Sequence, residues 1–312
     1  MGATEPFRLA LIGAGRMGRT HVRALAAGST VVVTAVVEPV EAVRTELEAD
    51  GVDTYSTVAE LQADGHFDGV LIAAPTDLHV ELVETFAAAG IPILCEKPCG
   101  IRAADTAGAA RTAAEAGVLL QIGYWRRFVP ELIELRRRID AGELGELWHV
   151  SCWQWDERPP APSFRSRSGG ILVDMGVHEF DQLRWLTGQE IDEVSAVAAA
   201  ASSEEPVPGD PESIVALARL SGGTVATVSL GRRFPEGDCC WVEVMGTLGH
   251  ERLPFMWGEP GTRVFLDALA AQAEAFAEAA RGGPLRGATG DDAIRAIEAA
   301  ERASDAAGLQ TR

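Results

Sequence analysis

Residues 13–18 have the sequence Gly-Ala-Gly-Arg-Met-Gly and directly follow a short apolar segment, Phe7–Ile12. The pattern G-x-G-x-x-G between a strand and a helix is typical of the turn that binds the pyrophosphate of a dinucleotide. Its first glycine makes the turn, its second admits the pyrophosphate, and its third lets helix and strand pack closely. A chain with 33 glycines also produces such patterns as merely structural turns. The position between strand and helix favours the dinucleotide site.

The residues up to 122 alternate between short apolar runs and segments with helical periodicity. Strands are predicted at Phe7–Ile12, Val31–Val37, Gly69–Ala73, Pro92–Cys95 and Leu119–Ile122. Helices are predicted at Met17–Ala27, Val40–Asp50, Val58–Ala63, Leu78–Ala89 and Ala103–Ala116. Such alternation predicts an N-terminal Rossmann domain, residues 1–122, with a doubly wound parallel sheet.

The pattern changes after residue 122, and strands then follow one another with few helices between them. Helices are predicted at Pro130–Ala141, Val177–Leu186, Leu266–Arg281 and Asp291–Ala307, with a proline-rich loop at Arg158–Ser168. Strands are predicted at Leu147–Gln154, Val194–Ala200, Ser213–Leu220, Thr224–Leu230 and Trp241–Met245, with a hairpin turn at Gly222-Gly223. We therefore expect a C-terminal α/β domain, residues 123–312, with a large, mostly antiparallel open sheet.

Two of these strands have apolar or small residues on both faces, Val194–Ala200 and Ser213–Leu220. In a sheet with one face open to water, the residues along each strand alternate between apolar and polar. We therefore predict that a second copy of the chain covers this sheet, in a homodimer or homotetramer.

The chain has 46 acidic and 27 basic residues, a formal net charge of −19. Such a surface repels nucleic acid and anionic membranes and favours a neutral small-molecule substrate. No apolar run is long enough to span a bilayer, and the N-terminus lacks the pattern of a secretory signal, so we expect a cytoplasmic protein. The five cysteines have neither zinc-ligand nor C-x-x-C spacing, so we expect them to be buried and predict no metal site.

Glu38 ends the second predicted strand, where a carboxylate typically binds the ribose 2′-hydroxyl of NAD. Pro39 follows it and no arginine is adjacent to receive a 2′-phosphate, so NAD is favoured over NADP. The alternative is that Glu38 is a solvated residue at a strand end. The predicted cofactor-binding residues are Gly13, Gly15, Arg16, Met17, Gly18, Glu38, Ala74, Pro75, Thr76, His79, Glu96 and Lys97.

Lys97 is the only lysine in the chain, in which the other 26 basic residues are arginine and asparagine is absent. An amine can change its pKa where a guanidinium cannot. Lys97 directly follows a predicted strand at the edge where a doubly wound sheet binds its ligands. A functional amine is therefore favoured over a surface lysine in a turn.

Asp174 and His178 are four residues apart at the beginning of a predicted helical stretch, so both can lie on one face. Taken alone, such a pair is more often a helix cap and an ordinary helix residue. Because the same chain also contains Lys97 and the glycine turn, a functional role for the pair is favoured.

These segments together resemble the Gfo/Idh/MocA family of NAD(P)-dependent oxidoreductases, and within it most resemble inositol dehydrogenases. The matching segments are GAGRMGRTH at 13–21, APTDLH at 74–79, EKP at 96–98, YWRRF at 124–128, GGILVDMGVHEFD at 169–181 and GATGDDAIRAIEAAE at 287–301. The resemblance implies a Rossmann domain followed by an α/β domain whose open sheet often forms oligomers. It also implies that Lys97, Asp174 and His178 form the catalytic set.

The chemistry of an alcohol dehydrogenation suits those three side chains. A hydride leaves an alcohol readily only as the O–H proton departs, so a positioned base is needed, and His178 is the natural one. Lys97 would stabilise the developing alkoxide, and Asp174 would orient the imidazole or bind a neighbouring hydroxyl. The predicted substrate-binding residues are Lys97, Arg126, Arg127, Trp155, Asp156, Asp174 and His178.

We therefore predict an NAD-dependent enzyme that transfers a hydride between the nicotinamide and a CH–OH group of a cyclic polyol or sugar. The loop Trp153–Pro160 departs from what we expect of inositol dehydrogenases, which leaves the substrate open. Two alternatives stay open as well: an NAD-dependent glycosidase of the same family, and a non-catalytic dinucleotide-binding regulator. The presence of all three predicted catalytic residues argues against the regulator.

Overall fold

The computed structural model describes residues 5–26, 28–49, 51–199 and 206–309. The ends of three predicted elements, Ala27, Asp50 and Ala200, lie outside the described residues, as do 1–4, 201–205 and 310–312 of the predicted domains. The chain divides into two compact units. The first contains the residues up to Gly100, then Ala104–Gly123 and Leu266–Asp291, and the second contains Ile101–Ala103, Tyr124–Phe265 and the residues from Asp292.

The first unit is built on a parallel six-stranded sheet in the order β3-β2-β1-β4-β5-β6. Its strands are β1 Phe7–Ile12, β2 Val31–Val37, β3 Asp53–Tyr55, β4 Gly69–Ile72, β5 Ile93–Cys95 and β6 Leu120–Ile122. The helices are α1 Arg16–Leu25, α2 Glu41–Ala49, α3 Val58–Asp64, α4 His79–Ala88 and α5 Ala103–Glu115, with a 3₁₀ turn at Thr76–Leu78. This strand order is that of the dinucleotide-binding Rossmann fold and confirms the predicted fold class.

Residues 266–291 were predicted within the second domain but belong to the first unit. Ala273, Phe276 and Ala277 join the apolar core around β1, where the Phe276 ring meets the Phe7 ring edge-on at a centroid distance of 5.8 Å. Complete burial of one such side chain contributes about 1.5–3 kcal/mol. The predicted boundary at 122/123 thus lies beside one change of unit, Gly123 to Tyr124, while the chain later returns to the first unit.

The second unit contains a six-stranded mixed sheet in the order β12-β11-β7-β10-β9-β8. Its strands are β7 Leu147–Trp155, β8 Ile191–Ala198, β9 Ser213–Leu220, β10 Val225–Gly231, β11 Cys239–Gly246 and β12 His250–Trp257. The remaining helices are α6 Pro130–Asp140, α7 Pro162–Arg165, α8 Val177–Thr187, α9 Gly258–Ala280 and α10 Gly290–Ala306, with a 3₁₀ turn at Trp125–Phe128 and a π-helical turn at Leu172–Gly176. Only β7 and β10 pair in parallel, so the predicted, mostly antiparallel sheet is confirmed.

Strands β3 and β12 are missing from the sequence prediction. β3 has three residues, too few to show an alternation. β12 lies at the edge of its sheet, and its Pro254 is tolerated there because an edge strand has backbone groups that need no partner. The predicted helix from Leu266 also begins earlier, since α9 starts at Gly258. The hairpin turn is confirmed, with Gly223 at φ +88° between the antiparallel β9 and β10.

The five cysteines are all buried, as predicted. In the part of the chain that the structure describes, no helix has the length and apolar character needed to cross a bilayer.

One face of the second sheet leaves apolar side chains in water. In β9 the residues alternate strictly, and Val215 and Leu217 are 46% and 51% exposed while their neighbours are buried. Val197 of β8 and Val225 of β10 add to the same face, at 77% and 46% exposed. A contiguous apolar patch of this kind typically marks an association surface. The predicted homo-oligomer therefore has a candidate interface here.

We predict that Leu217→Glu reduces the oligomer to single chains at micromolar concentration, because it buries a charge in the proposed interface. Ile133→Glu on α6, also at an exposed apolar residue, is the control and should leave the mass unchanged. Static light scattering measures both variants. A wild-type chain that is strictly monomeric would contradict the association.

Candidate active site

Two of the three glycines in the glycine turn have no room for a side chain. Gly13 has φ +97°, and a Cβ on it would lie 2.8 Å from the Cα of Ala74. A Cβ on Gly18 would lie 2.1 Å from the carbonyl oxygen of Gly13. Gly15 differs, since a Cβ there would meet nothing within 4 Å. The first and third glycines therefore allow close packing, whereas the second faces open space.

That open space lies at the N-terminus of α1, which begins at Arg16 and Met17. No side chain caps this end of the helix, and no acidic residue lies in its first turn. The unsatisfied N–H groups and the helix dipole attract an anion. The turn therefore fits a pyrophosphate on two counts: space at Gly15 and uncapped donors beside it.

Glu38 lies directly after β2 and is bound to the glycine turn. Its Oε2 accepts a hydrogen bond from the Ala14 N–H at 2.9 Å, and its Oε1 accepts one from the Val40 N–H at 3.0 Å. The residue is only 8% exposed. It is therefore a fixed carboxylate beside the dinucleotide turn rather than a solvated residue at a strand end. This position suits a ribose hydroxyl.

His79 connects the two turns that follow β4 and β5. Its imidazole is buried, with Nε2 2.8 Å from the carbonyl oxygen of Ala74 and Nδ1 2.8 Å from that of Pro98. Burial lowers the pKa of His79 below its ordinary value, although both carbonyl oxygens favour its charged form. Ala74, Pro75 and Thr76, predicted to bind the cofactor, form the first of these turns.

Lys97 lies in the second turn, between two buried neighbours. The Glu96 carboxylate accepts a hydrogen bond from the Lys97 N–H at 3.1 Å and lies 2.6 Å from Nε2 of His21, a residue of α1. Burial would raise the pKa of Glu96, but the hydrogen bond with His21 and the charge of Lys97 hold it below its usual value. Lys97 itself is partly exposed. Lys97 is therefore a partly exposed residue at the carboxyl edge of the parallel sheet, on a turn fixed by buried groups.

In the second unit, Asp174 lies in the π-helical turn Leu172–Gly176 and His178 in the first turn of α8. π-Helical turns are rare and occur frequently at functional sites. Both residues are largely buried, at 9% and 6% exposed. The His178 ring meets the edges of the Tyr124 and Trp125 rings at centroid distances of 5.9 and 6.3 Å. Aromatic walls thus confine the imidazole that is predicted to be the base.

Arg232, which the sequence analysis missed, holds the predicted Asp174. It is fully buried at the end of β10, with Nη1 2.7 Å from Oδ2 of Asp174 and Nη2 3.0 Å from Oδ1 of Asp210. Asp156 lies 3.9 Å from the same Nη1. Burial would lower the pKa of Arg232, but Asp174 and Asp210 raise it, so the guanidinium stays charged. Asp156 and Asp174, two of the predicted substrate-binding residues, therefore both lie near the Arg232 guanidinium.

Arg126 and Arg127 are paired within the protein. Nη1 of Arg126, which is 2% exposed, lies 2.6 Å from Oε2 of Glu179. Arg127 binds Asp181 through two hydrogen bonds of 3.0 and 2.5 Å. These carboxylates belong to α8, so the two arginines join the turn at Trp125–Phe128 to that helix. Both guanidinium groups are therefore bound by carboxylates of the second unit.

Trp155 does not join Asp174 and His178. Side chains alternate along β7, and its neighbour Gln154 faces the helices, where it accepts a hydrogen bond from Arg126 at 2.8 Å. Trp155 lies on the other face and donates to the Ser229 hydroxyl at 3.1 Å. The strand therefore separates this predicted substrate residue from Asp156, which lies beside Arg232. Among the described residues, no cluster of His, Cys, Asp and Glu suited to a metal ion is present.

The fold and the glycine turn define a Rossmann-type oxidoreductase. Residues 7–124 match the model of the oxidoreductase family with an NAD-binding Rossmann fold, and residues 132–251 match the GFO/IDH/MocA C-terminal domain. The chain belongs to the Gfo/Idh/MocA family, as its sequence suggested, and is an NAD-dependent dehydrogenase that acts on CH–OH groups.

Relatives match nearly the whole chain. The rhizopine catabolism protein MocA of Rhizobium meliloti is 53% identical over 299 residues, 96% of this chain and 94% of the relative. The myo-inositol dehydrogenase Hyg17 of Streptomyces leeuwenhoekii is 36% identical, covering 95% and 97%. The crystal structure of a putative myo-inositol dehydrogenase from Sinorhizobium meliloti superposes with a TM-score of 0.87 at 29% identity, over 97% of each chain.

We predict that Glu38→Ser raises KM for NAD by about tenfold or more, because a hydrogen bond to a charged group contributes about 1.5–3 kcal/mol. The preference for NAD over NADP should narrow as the repulsion of the 2′-phosphate disappears. Glu41→Ser, an exposed acid in the first turn of α2, is the control and should change neither value. Steady-state kinetics with both cofactors measures the ratio, and a wild type that prefers NADP would contradict the role of Glu38.

We also predict that Arg232→Met lowers the free energy of unfolding by about 3–5 kcal/mol, because two buried carboxylates lose their common cation. The adjacent Arg233→Met removes a surface pair with Glu212, in which the arginine side chain is 57% exposed, and should cost less than about 1 kcal/mol. Urea unfolding measures both. Equal losses in the two variants would show that the buried network adds no stability.

Proposed function

We propose that this protein oxidises a secondary hydroxyl of a neutral cyclic polyol, or reduces the corresponding ketone, with an inositol or its keto form as the first candidate and a hexopyranose as the second. The observation that supports this most directly is the single lysine of the chain on the turn after β5, a partly exposed residue between buried neighbours. In a dehydrogenase of CH–OH groups, that amine is suited to the oxygen of the reacting carbon.

The substrate class rests on charge and on relatives. A net charge of −19 disfavours anionic substrates such as hydroxy acids and sugar phosphates. Two of the relatives described above bear the name myo-inositol dehydrogenase, and the relative with 53% identity is named for rhizopine catabolism. These names support a polyol, while the departure of the loop Trp153–Pro160 from the inositol pattern leaves the particular ring open.

The proposed roles follow from the chemistry of each side chain. The nicotinamide, when bound, exchanges the hydride. His178 accepts the hydroxyl proton during oxidation and returns it during reduction. Lys97 stabilises the oxygen as negative charge develops on it. Asp174 is bound by Arg232, so we assign it to the orientation of hydroxyls or of the imidazole and not to the role of the base.

In the binding turns, the N-terminus of α1 would hold the pyrophosphate and Glu38 a ribose hydroxyl. Asp156 is 23% exposed at its side chain and lies beside Arg232, so we assign it to substrate hydroxyls together with Asp174. A carboxylate fixed by a guanidinium accepts hydrogen bonds from neutral hydroxyls without a change in its own charge. Asp156 and Asp174 are therefore suited to accept hydrogen bonds from the hydroxyl groups of a polyol ring.

We predict that Lys97→Met and His178→Ala each lower kcat by about a hundredfold or more, typical of the loss of a charge stabiliser or a positioned base, while NADH affinity stays within about threefold. The double variant should lose little more than either single variant, because residues that act in one step are not additive. Lys97→Arg is the sharper test, since it keeps the charge and changes the hydrogen-bond geometry.

The assay follows NADH at 340 nm with inositols, hexoses, their keto forms and an aryl glycoside. Oxidation of a neutral ring supports the proposal. Release of a sugar from the glycoside without net NADH would support the glycosidase instead, and a preference for a 2-hydroxy acid or an aldose phosphate would contradict the substrate class. Wild-type turnover in Lys97→Arg would reduce Lys97 to a generic positive charge.

A further inference from the structure

His79 was predicted to bind the cofactor, yet its imidazole faces the protein on both sides. The ring is 2% exposed, and each of its nitrogens lies 2.8 Å from a backbone carbonyl oxygen. One carbonyl belongs to Ala74, in the turn after β4, and the other to Pro98, in the turn after β5. The side chain therefore lies between the two turns that border the carboxyl edge of the sheet.

The contacts of His79 with the Ala74 and Pro98 carbonyls hold two different turns. Ala74 packs against Gly13, whose missing Cβ leaves room for it, so the first contact holds the turn that borders the glycine loop. Pro98 directly follows Lys97, so the second contact holds the turn that presents the amine. A neutral imidazole has one N–H and an imidazolium has two, so at least one of the two carbonyls accepts a hydrogen bond from His79 in either form.

The opposite side of the Lys97 turn is held by a separate buried pair. His21 of α1 lies 2.6 Å from Glu96, whose other oxygen accepts the Lys97 N–H. Gly123 directly follows β6, and a Cβ on it would lie 3.1 Å from Glu96, so the missing side chain lets Glu96 pack against this backbone. The peptide unit of Lys97 is thus held through Glu96, and the turn is also held by His79 through the Pro98 carbonyl.

We propose that His79 is a positioning residue with two separable functions: through the Ala74 carbonyl it holds the turn that binds the dinucleotide, and through the Pro98 carbonyl it holds the turn that presents Lys97. The assignment of the second function to turnover rests on the proposed role of Lys97. His79 itself is 2% exposed and has both ring nitrogens on backbone carbonyls, so it acts through the two turns.

Two conservative variants separate the functions. The amide nitrogen of asparagine takes a place close to that of Nδ1, and the amide nitrogen of glutamine one close to that of Nε2. His79→Asn should keep the bond to Pro98 and lose the bond to Ala74, and His79→Gln should do the reverse. The same pair of changes at the exposed His66 is the matched control.

Three measurements are made on the full chain: NADH affinity by fluorescence titration, kcat with the best polyol, and the spectrum of protein labelled with ¹⁵N-lysine. Because Lys97 is the only lysine, this label gives one backbone amide resonance, from the N–H that donates to Glu96. We expect His79→Asn to weaken NADH binding by about fivefold or more while kcat and the Lys97 resonance stay close to wild type. His79→Gln should keep NADH affinity, lower kcat by about fivefold or more and shift the resonance.

Equal effects of the two variants on all readouts, or the reverse split, would overturn the proposal. Variants that both match wild type, as the His66 controls should, would overturn it too. The outcome is independent of the polyol assignment, because NADH affinity and the Lys97 resonance require no turnover. If the wild type oxidises no polyol while the variants still split these two readouts, the proposed substrate fails and the positioning role stands.

Discussion

The close approach of backbone to backbone at Gly13 is the constraint on which the first unit depends. Its absent Cβ lets the turn after β1 lie against Ala74, and the absent Cβ of Gly18 lets α1 lie against the same turn. Any side chain at Gly13 would push the turns after β1 and β4 apart, and its φ of +97° would be strained as well. Glu38 then binds the Ala14 N–H. The glycine turn is thus formed by close main-chain contacts, and the side chain of Glu38 stabilises it.

The second unit is organised by buried charge. Arg232 is held between Asp174 and Asp210, and Arg126 is paired with Glu179, all with little exposure to water. Buried pairs of this kind repay their desolvation only with good geometry, so their net stability is small while the loss of one partner is costly. Their value is in orientation, because Arg232 fixes the direction of the Asp174 carboxylate.

Sequence reasoning succeeded where local pattern is enough. The glycine turn and the buried strands of the parallel sheet depend on residues close in the chain. It failed where distant segments decide the outcome. Arg232 meets Asp174 because the π-helical turn Leu172–Gly176 packs against β10. The adjacent Arg126 and Arg127 look equivalent in the sequence, although each has a different partner on α8. Trp155 lies on the face of β7 opposite to Gln154, so its place beside Asp156 in the sequence does not bring the two side chains together. The edge strand β12, with its proline, has too weak an alternation to be recognised.

The return of residues 266–291 to the first unit sets an order of events during synthesis. All six strands of the parallel sheet have left the ribosome once Ile122 has emerged, but the Phe7 ring still lacks the Phe276 ring that covers it. Residues 124–265 of the second unit are synthesised in between. The first unit therefore cannot complete its core until residues 266–291 have emerged, and a nascent chain arrested near residue 260 would expose the apolar side of β1 to chaperones.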